Sequence, residues 1–149
     1  GGGCPGSREM SFAPAAAPSF KMATSATTVS ASQLRQWPVQ LHLLNPQAGY
    51  FRGADVVLAA DCVAFSFADF HNRFLAGKIL AIACPKLDSN KESYVEKLKD
   101  MIQLSSINTL TVIIMEVPCC GGLLQIVQMA LDRAARKVPV KAALRAGFF

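Results

Sequence analysis

Four cysteines in this chain each follow an apolar run of the kind that forms a buried β-strand. They are Cys62 after residues 54–61, Cys84 after 78–83, and Cys119 with Cys120 after 109–118. If the three runs are neighbouring parallel strands, all four thiols gather along one edge of one sheet. Open α/β sheets bind their ligands at that edge. The spacing therefore predicts one shared thiol site.

The segment Pro118-Cys-Cys-Gly-Gly122 has the composition of a binding turn. A helix is predicted directly after it, and a helix N-terminus presents free N–H groups and partial positive charge. That environment lowers the pKa of a nearby thiol, so we expect it to favour ionisation of Cys119 and Cys120. Gly121 and Gly122 let the backbone turn tightly and approach a bound group, which makes them the candidate cofactor-binding residues.

Four thiolates can complete a tetrahedral zinc site or hold an iron–sulfur cluster. The chain has no Cys-x-x-Cys pair, so its spacing differs from that of a zinc ribbon. Adjacent side chains diverge in extended chain and bind one small ion awkwardly, whereas a cluster of several irons accommodates them more easily. The predicted metal ligands are Cys62, Cys84, Cys119 and Cys120, with an iron–sulfur cluster as cofactor and zinc as the alternative. A third hypothesis is a thiol-dependent redox enzyme with Cys119 or Cys120 as nucleophile.

Simpler structural roles compete with each of these assignments. A free cysteine is often a small buried hydrophobe. His42 and His71 are the only histidines of the chain, and each fits either a hydrogen-bonded core residue or a spare ligand. Asp61 and Glu116 end apolar runs beside cysteines, where a carboxylate would bind a helix N-terminus or tune the site.

The order of predicted elements positions the cysteines. Residues 1–31 are rich in Gly, Ala, Pro and Ser and are interpreted as a flexible linker, and the folded domain spans 32–149. Strands then alternate with helices, which predicts a three-layer α/β domain with a mainly parallel sheet of about five strands and helices on both faces. The predicted strands are 39–44, 54–60, 79–83, 110–115 and 138–144. The predicted helical segments are 49–53, 66–76, a helix begun by a capping box at Ser89-Asn-Lys-Glu92, and 121–136.

Composition narrows the class of protein further. An apolar fraction of 52% argues against disorder, and no uncharged stretch reaches the roughly 18–20 residues of a membrane span. The net charge of +5 is concentrated near the end of the chain, but no aromatic residues are interleaved with it as in a nucleic-acid site. No signal peptide is readable, so we expect a cytoplasmic protein. Disulfides are disfavoured there, and the five cysteines favour metal binding or redox chemistry.

The same segments resemble a family of ferredoxin-domain proteins described as 4Fe-4S iron–sulfur binding proteins. The matching segments are Gly3-Cys-Pro-Gly-Ser7, Leu34-Arg-Gln-Trp-Pro-Val-Gln-Leu-His42, Ala59-Ala-Asp-Cys-Val63, Cys84-Pro-Lys-Leu-Asp88 and Glu116-Val-Pro-Cys-Cys-Gly-Gly122. Family members often carry an N-terminal ferredoxin module with Cys-x2-Cys-x2-Cys-x3-Cys-Pro runs, and this chain has none. The resemblance implies the C-terminal partner domain of such a module, acting in electron transfer with a ferredoxin-type module or another redox protein. Cys4 and His42 lie in its matching motifs.

Overall fold

A parallel four-stranded sheet forms the centre of the domain. The computed structural model describes residues 5–13 and 30–145. The strands are β1 (Met10–Ser11), β2 (Gln36–Trp37), β3 (Asp55–Ala60), β4 (Ile79–Ala83), β5 (Thr109–Met115) and β6 (Val140–Arg145). The helices are α1 (Val63–Ser66), α2 (Lys91–Gln103) and α3 (Gly121–Arg133), with single helical turns at Pro5–Ser7, Gly49–Phe51, His71–Leu75 and Pro118–Cys120. β1 and β2 pair with each other, and the parallel sheet has the order β4-β3-β5-β6.

The sheet strands are apolar because both faces of the sheet are covered. Residues 56–60 of β3 and 112–115 of β5 are buried. The buried residues of α2 recur with the helical period and form one inner face. That face consists of Tyr94, Val95, Leu98, Met101 and Ile102.

The chain reverses its direction across the sheet after β4. From β3 it moves outward to β4, and α2 then carries it back past β3 to β5, after which α3 leads on to β6. Right-handed crossovers place the connection that contains α1 on one face and both longer helices on the other. The predicted three-layer α/β class is confirmed. The connections that leave β3 and β5 diverge to opposite faces, and such a switch point leaves a crevice at the strand ends.

Late basic residues tie α3 and the segment after it to α2. The Arg133 guanidinium pairs with Glu92 and lies 3.0 Å from Glu96, both on α2. Arg136 donates to the carbonyl oxygen of Ile107 over 2.8 Å.

Within residues 5–13 and 30–145, no helix is long and apolar enough to cross a membrane.

The predicted strand 39–44 is replaced by a single bridge and a turn. Gln40 bridges to Ile82 of β4, and the chain then turns at residues 41–43. The Lys97 ammonium donates to the carbonyl oxygens of Leu41 (3.0 Å) and His42 (2.5 Å). Those carbonyls are engaged by a side chain, so the described parallel sheet has four strands where about five were predicted.

The predicted helix 66–76 does not form as one helix: α1 ends at Ser66, and only His71–Leu75 within the predicted range is helical. α1 begins directly after Cys62, and Ser66 Oγ donates to the Cys62 carbonyl oxygen over 2.9 Å. Phe67 is then extended, which ends the helix before the turn at His71–Leu75. The rings of Phe67 and Phe74 nevertheless pack together, with centroids 5.1 Å apart.

Two helix ends also differ from their predictions. The capping box is wrong: Asn90, in the left-handed conformation, is the N-cap of α2 and makes no side-chain cap, while Glu92 pairs with Arg133. α3 ends at Arg133 because Ala134 is extended, although the helix was predicted to continue to Arg136.

Most of the predicted linker 1–31 lies outside the described residues, and its described part includes β1.

The amino ends of β3 and β5 are joined by the Asp55 carboxylate. Its Oδ1 accepts hydrogen bonds from Thr109 Oγ1 and Asn108 Nδ2, both over 2.7 Å. These bonds, that from Thr109 first, hold the pKa of Asp55 below its usual value of 3.8. The ionised carboxylate therefore stabilises the fold above about pH 4, and this contribution is lost as the pH falls through the lower folded-state pKa.

Replacing Asp55 by Asn should lower the free energy of unfolding at pH 7 by about 1 kcal/mol, because the bonds to an ionised acceptor become neutral. The same variant should lose less further stability than wild type between about pH 4 and pH 2. Urea unfolding at both pH values measures this. Asp132→Asn, on the exposed side of α3, is the control, and equal pH dependence of the two variants would contradict the role of Asp55.

Candidate functional site

The strands that precede the cysteines end at one level of the sheet. Ala60 of β3 is paired with Ala83 of β4, and Ala59 of β3 is paired with Ile113 of β5. All three strands therefore end at the same level to within one residue. The structure thus places Cys62, Cys84, Cys119 and Cys120 along the carboxyl edge of the sheet. Cys4 lies outside the described residues.

Three of the four thiols lie around the switch point between β3 and β5. Cys62 and Cys119 are exposed, whereas Cys120 is only 4% exposed. Cys119 and Cys120 are neighbours in the chain, and Cys62 lies near enough to Cys120 to affect its pKa. The strand order therefore places these three cysteines at the switch point.

Cys120 is the N-cap of α3, yet its thiol is not activated there. Burial raises the pKa of Cys120, and the neighbouring thiols of Cys119 and Cys62 raise it further, while a hydrogen bond with the backbone of Met115 opposes them. The prediction that the helix N-terminus favours ionisation is therefore wrong for Cys120. Loss of hydration outweighs the helix end because the thiol faces the core.

The fourth thiol, Cys84, lies in a tightly hydrogen-bonded loop. Its Sγ accepts from the N–H of Leu87 over 3.4 Å, and its own N–H donates to Asp88 Oδ2 over 2.8 Å. The N–H of Asp88 donates to the Cys84 carbonyl oxygen over 3.0 Å. The backbone of this loop is thus fixed around the sulfur atom.

Asp88 anchors the Cys84 loop to the rest of the domain. Its Oδ2 also accepts hydrogen bonds from the buried hydroxyl group of Tyr94 and from Gln40 Nε2, the latter over 3.2 Å. Burial opposes ionisation of Asp88, but the bonds from Tyr94, Cys84 and Gln40, helped by nearby His42, hold its pKa below the usual range. Sequence reasoning missed this role, for which the signal was an acidic residue four positions after a strand-end cysteine.

Both histidines have backbone partners near one ring nitrogen. His42 Nε2 lies 2.8 Å from the Ser89 carbonyl oxygen, and its ring centroid lies 4.3 Å from that of Tyr94. His71 Nδ1 accepts from the N–H of Gln33 over 3.0 Å. These contacts support the interpretation of both residues as positioned structural histidines.

Asp61 places a carboxyl group next to Cys62 at the end of β3. Its Oδ1 is buried and has no hydrogen-bond partner within the described part of the chain. Burial raises the pKa of Asp61, and the nearby charge of Asp88 adds to the effect. An unpaired buried oxygen costs stability, and here it lies on the residue that precedes Cys62.

The metal-ligating side chains at this edge form no compact group. Among the described residues, no three His, Cys, Asp or Glu side chains are gathered closely enough to hold one metal ion. Four thiols on three loops have the ligand type that iron–sulfur clusters and zinc sites use.

The fold, together with the cysteines at the carboxyl edge of its sheet, defines a Rossmann-like α/β domain with thiols at its switch point. A family model described as "Rossmann-like domain" matches residues 48–146. An uncharacterized protein of Archaeoglobus fulgidus is 34% identical over 105 residues, which cover 70% of this chain and 73% of that protein. The chain belongs to this family of Rossmann-like domains. No solved structure matched it.

The Asp88 anchor can be tested through the hydroxyl group of Tyr94. Replacing Tyr94 by Phe should lower the free energy of unfolding by about 1–2 kcal/mol, because Asp88 then loses a buried donor. Tyr50→Phe is the matched control, since the buried hydroxyl group of Tyr50 has no hydrogen-bond partner among the described residues. Urea unfolding should show little or no loss for that control. Equal losses for the two variants would contradict the anchor.

Proposed function

We propose that this domain binds an iron–sulfur cluster at the carboxyl edge of its sheet and serves as an accessory module in electron transfer. Cys62, Cys84, Cys119 and Cys120 would hold the cluster. The observation that carries the proposal is that the four cysteines follow the carboxyl ends of three neighbouring parallel strands, three of the cysteines at the β3–β5 switch point. Thiolates are the usual protein ligands of such clusters.

The alternative of a single zinc ion is less well supported by the donor geometry. A structural zinc site brings four ligand atoms to within about 2.0–2.3 Å of one centre. The described donors are not gathered so tightly, and Cys120 is buried while its neighbour Cys119 is exposed. A cluster requires no common point for the four sulfur atoms.

The alternative of a thiol enzyme lacks an activated nucleophile at Cys120. Its pKa is raised by burial, and a buried neutral thiol reacts slowly. A general base would have to contact the nucleophile. One ring nitrogen of His42 instead contacts the backbone at Ser89, and one of His71 contacts the backbone at Gln33.

The chain's own residues supply what a bound cluster would need. A cluster, when bound, would supply one-electron chemistry at a potential that depends on hydrogen bonds to its sulfur atoms and on solvent exposure. The Leu87 N–H already donates to Cys84 Sγ, and Asp88 fixes the loop that presents it. Cys62 and Cys119 are exposed, so a partner protein can approach the edge.

The proposed partner is a ferredoxin-type module or another redox protein, in the cytoplasm. Phe65, 94% exposed, follows Cys62 by three residues, and Leu87, 84% exposed, follows Cys84 by three. Large apolar side chains so exposed beside the thiols are consistent with contact with another protein. The resemblance of segments 84–88 and 116–122 to ferredoxin-domain proteins supports the same partner class.

Reconstitution with iron and sulfide under anaerobic conditions tests the proposal. Wild-type protein should become coloured and hold iron and acid-labile sulfide in equal amounts, since a [4Fe–4S] cluster contains both equally. Replacing Cys62, Cys84, Cys119 or Cys120 singly by Ser should lower the iron content several-fold, because each removes a thiolate ligand.

Cys4→Ser is the matched control, because four thiolates complete the ligand set without Cys4, and it should keep the wild-type iron content. Zinc without sulfide in the purified protein would favour the single-ion alternative. Wild-type protein that stays colourless and free of both iron and sulfide would overturn the proposal.

A further inference from the structure

The contact between Gly122 and Pro85 joins two loops that the sheet keeps apart. Pro85 follows Cys84 after β4, and Gly122 lies in the first turn of α3 after β5. β3 lies between these strands, so their axes are about 10 Å apart. The loops must therefore reach across the end of β3 to meet.

Gly122 permits this approach because it has no side chain. A Cβ atom at Gly122 would lie 3.1 Å from Cβ and 3.6 Å from Cγ of Pro85, so the proline would have to move. At Gly121 a Cβ atom would meet nothing within 4 Å. The two glycines are neighbours in one helical turn, and only one of them is in tight contact.

Helix conformation does not explain either glycine. Gly121 has φ −57°, an ordinary helical value that any residue adopts. Glycine in a helix costs about 1 kcal/mol relative to alanine, so each position carries a similar penalty. At Gly122 alone the missing side chain leaves room for Pro85 to pack closely against α3.

We propose that Gly122 is a positioning residue, whose missing side chain seats Pro85 on the first turn of α3 and so sets the Cys84 loop against the Cys119–Cys120 turn. The proposal rests on the proposed function for its purpose, because two loops that share one cluster must keep a fixed separation. It assigns different roles to two glycines that the sequence treated alike: Gly122 positions a ligand loop, and Gly121 does not.

Hydrogen exchange of the metal-free, reduced full chain tests the positioning directly. The amides of Cys84 and Leu87 are hydrogen-bonded within the loop. Gly122→Ala should speed their exchange by about tenfold through local opening of the loop. Gly121→Ala should leave both rates at the wild-type value. Equal behaviour of the two variants would overturn the proposal.

A double variant covers the case in which Gly122→Ala fails to fold. Pro85→Gly removes the atoms that a Cβ at position 122 would meet, so Pro85→Gly combined with Gly122→Ala should fold and show the exchange rates of Pro85→Gly alone. A double variant that does not fold, or whose exchange rates differ from those of Pro85→Gly alone, would contradict the steric explanation.

Iron content separates this inference from the proposed function. After reconstitution, Gly122→Ala should hold several-fold less iron than Gly121→Ala, because its ligand loops no longer match. Wild-type protein that binds no iron would overturn the proposed function alone, and the exchange comparison would still decide the role of Gly122.

Discussion

The pairing of β3 with both of its neighbours is the constraint on which the rest of the structure depends. One continuous register sets β4 on one side and β5 on the other, and it brings the ends of all three strands to a common level. Every proposed ligand follows one of these ends. A slip of one residue would turn each buried side chain of a strand to the other face, so burial on both faces also fixes the position of the thiols.

The loops beyond the strands need their own anchors, because the sheet fixes only where they begin. Asp88 supplies one anchor, through bonds that connect the Cys84 backbone with Tyr94 and Gln40. Close packing of Pro85 on Gly122 supplies another. The same edge also holds the unpaired buried oxygen of Asp61 and the buried thiol of Cys120, although stability alone would favour apolar groups at buried positions.

The buried strands could be predicted from sequence, whereas the details that depend on distant partners could not. The apolar runs at 54–60, 79–83 and 110–115 show no helical pattern that competes with a strand. Parallel topology then places the cysteines that follow them at one edge of the sheet. The predicted strand at 39–44 does not form because the Lys97 ammonium, more than fifty residues away in sequence, binds the carbonyl oxygens of Leu41 and His42. The thiol pKa of Cys120 was misjudged because helix position is visible in a sequence and burial is not.

The proposed function requires four thiols from three strand ends to bind one polynuclear centre. X-ray absorption at the iron edge of the anaerobically reconstituted full chain measures the atoms around the metal directly. We expect a first shell of sulfur with a strong iron–iron contribution in wild type, and its loss in Cys120→Ser. Iron surrounded only by oxygen or nitrogen, without an iron neighbour, would contradict it.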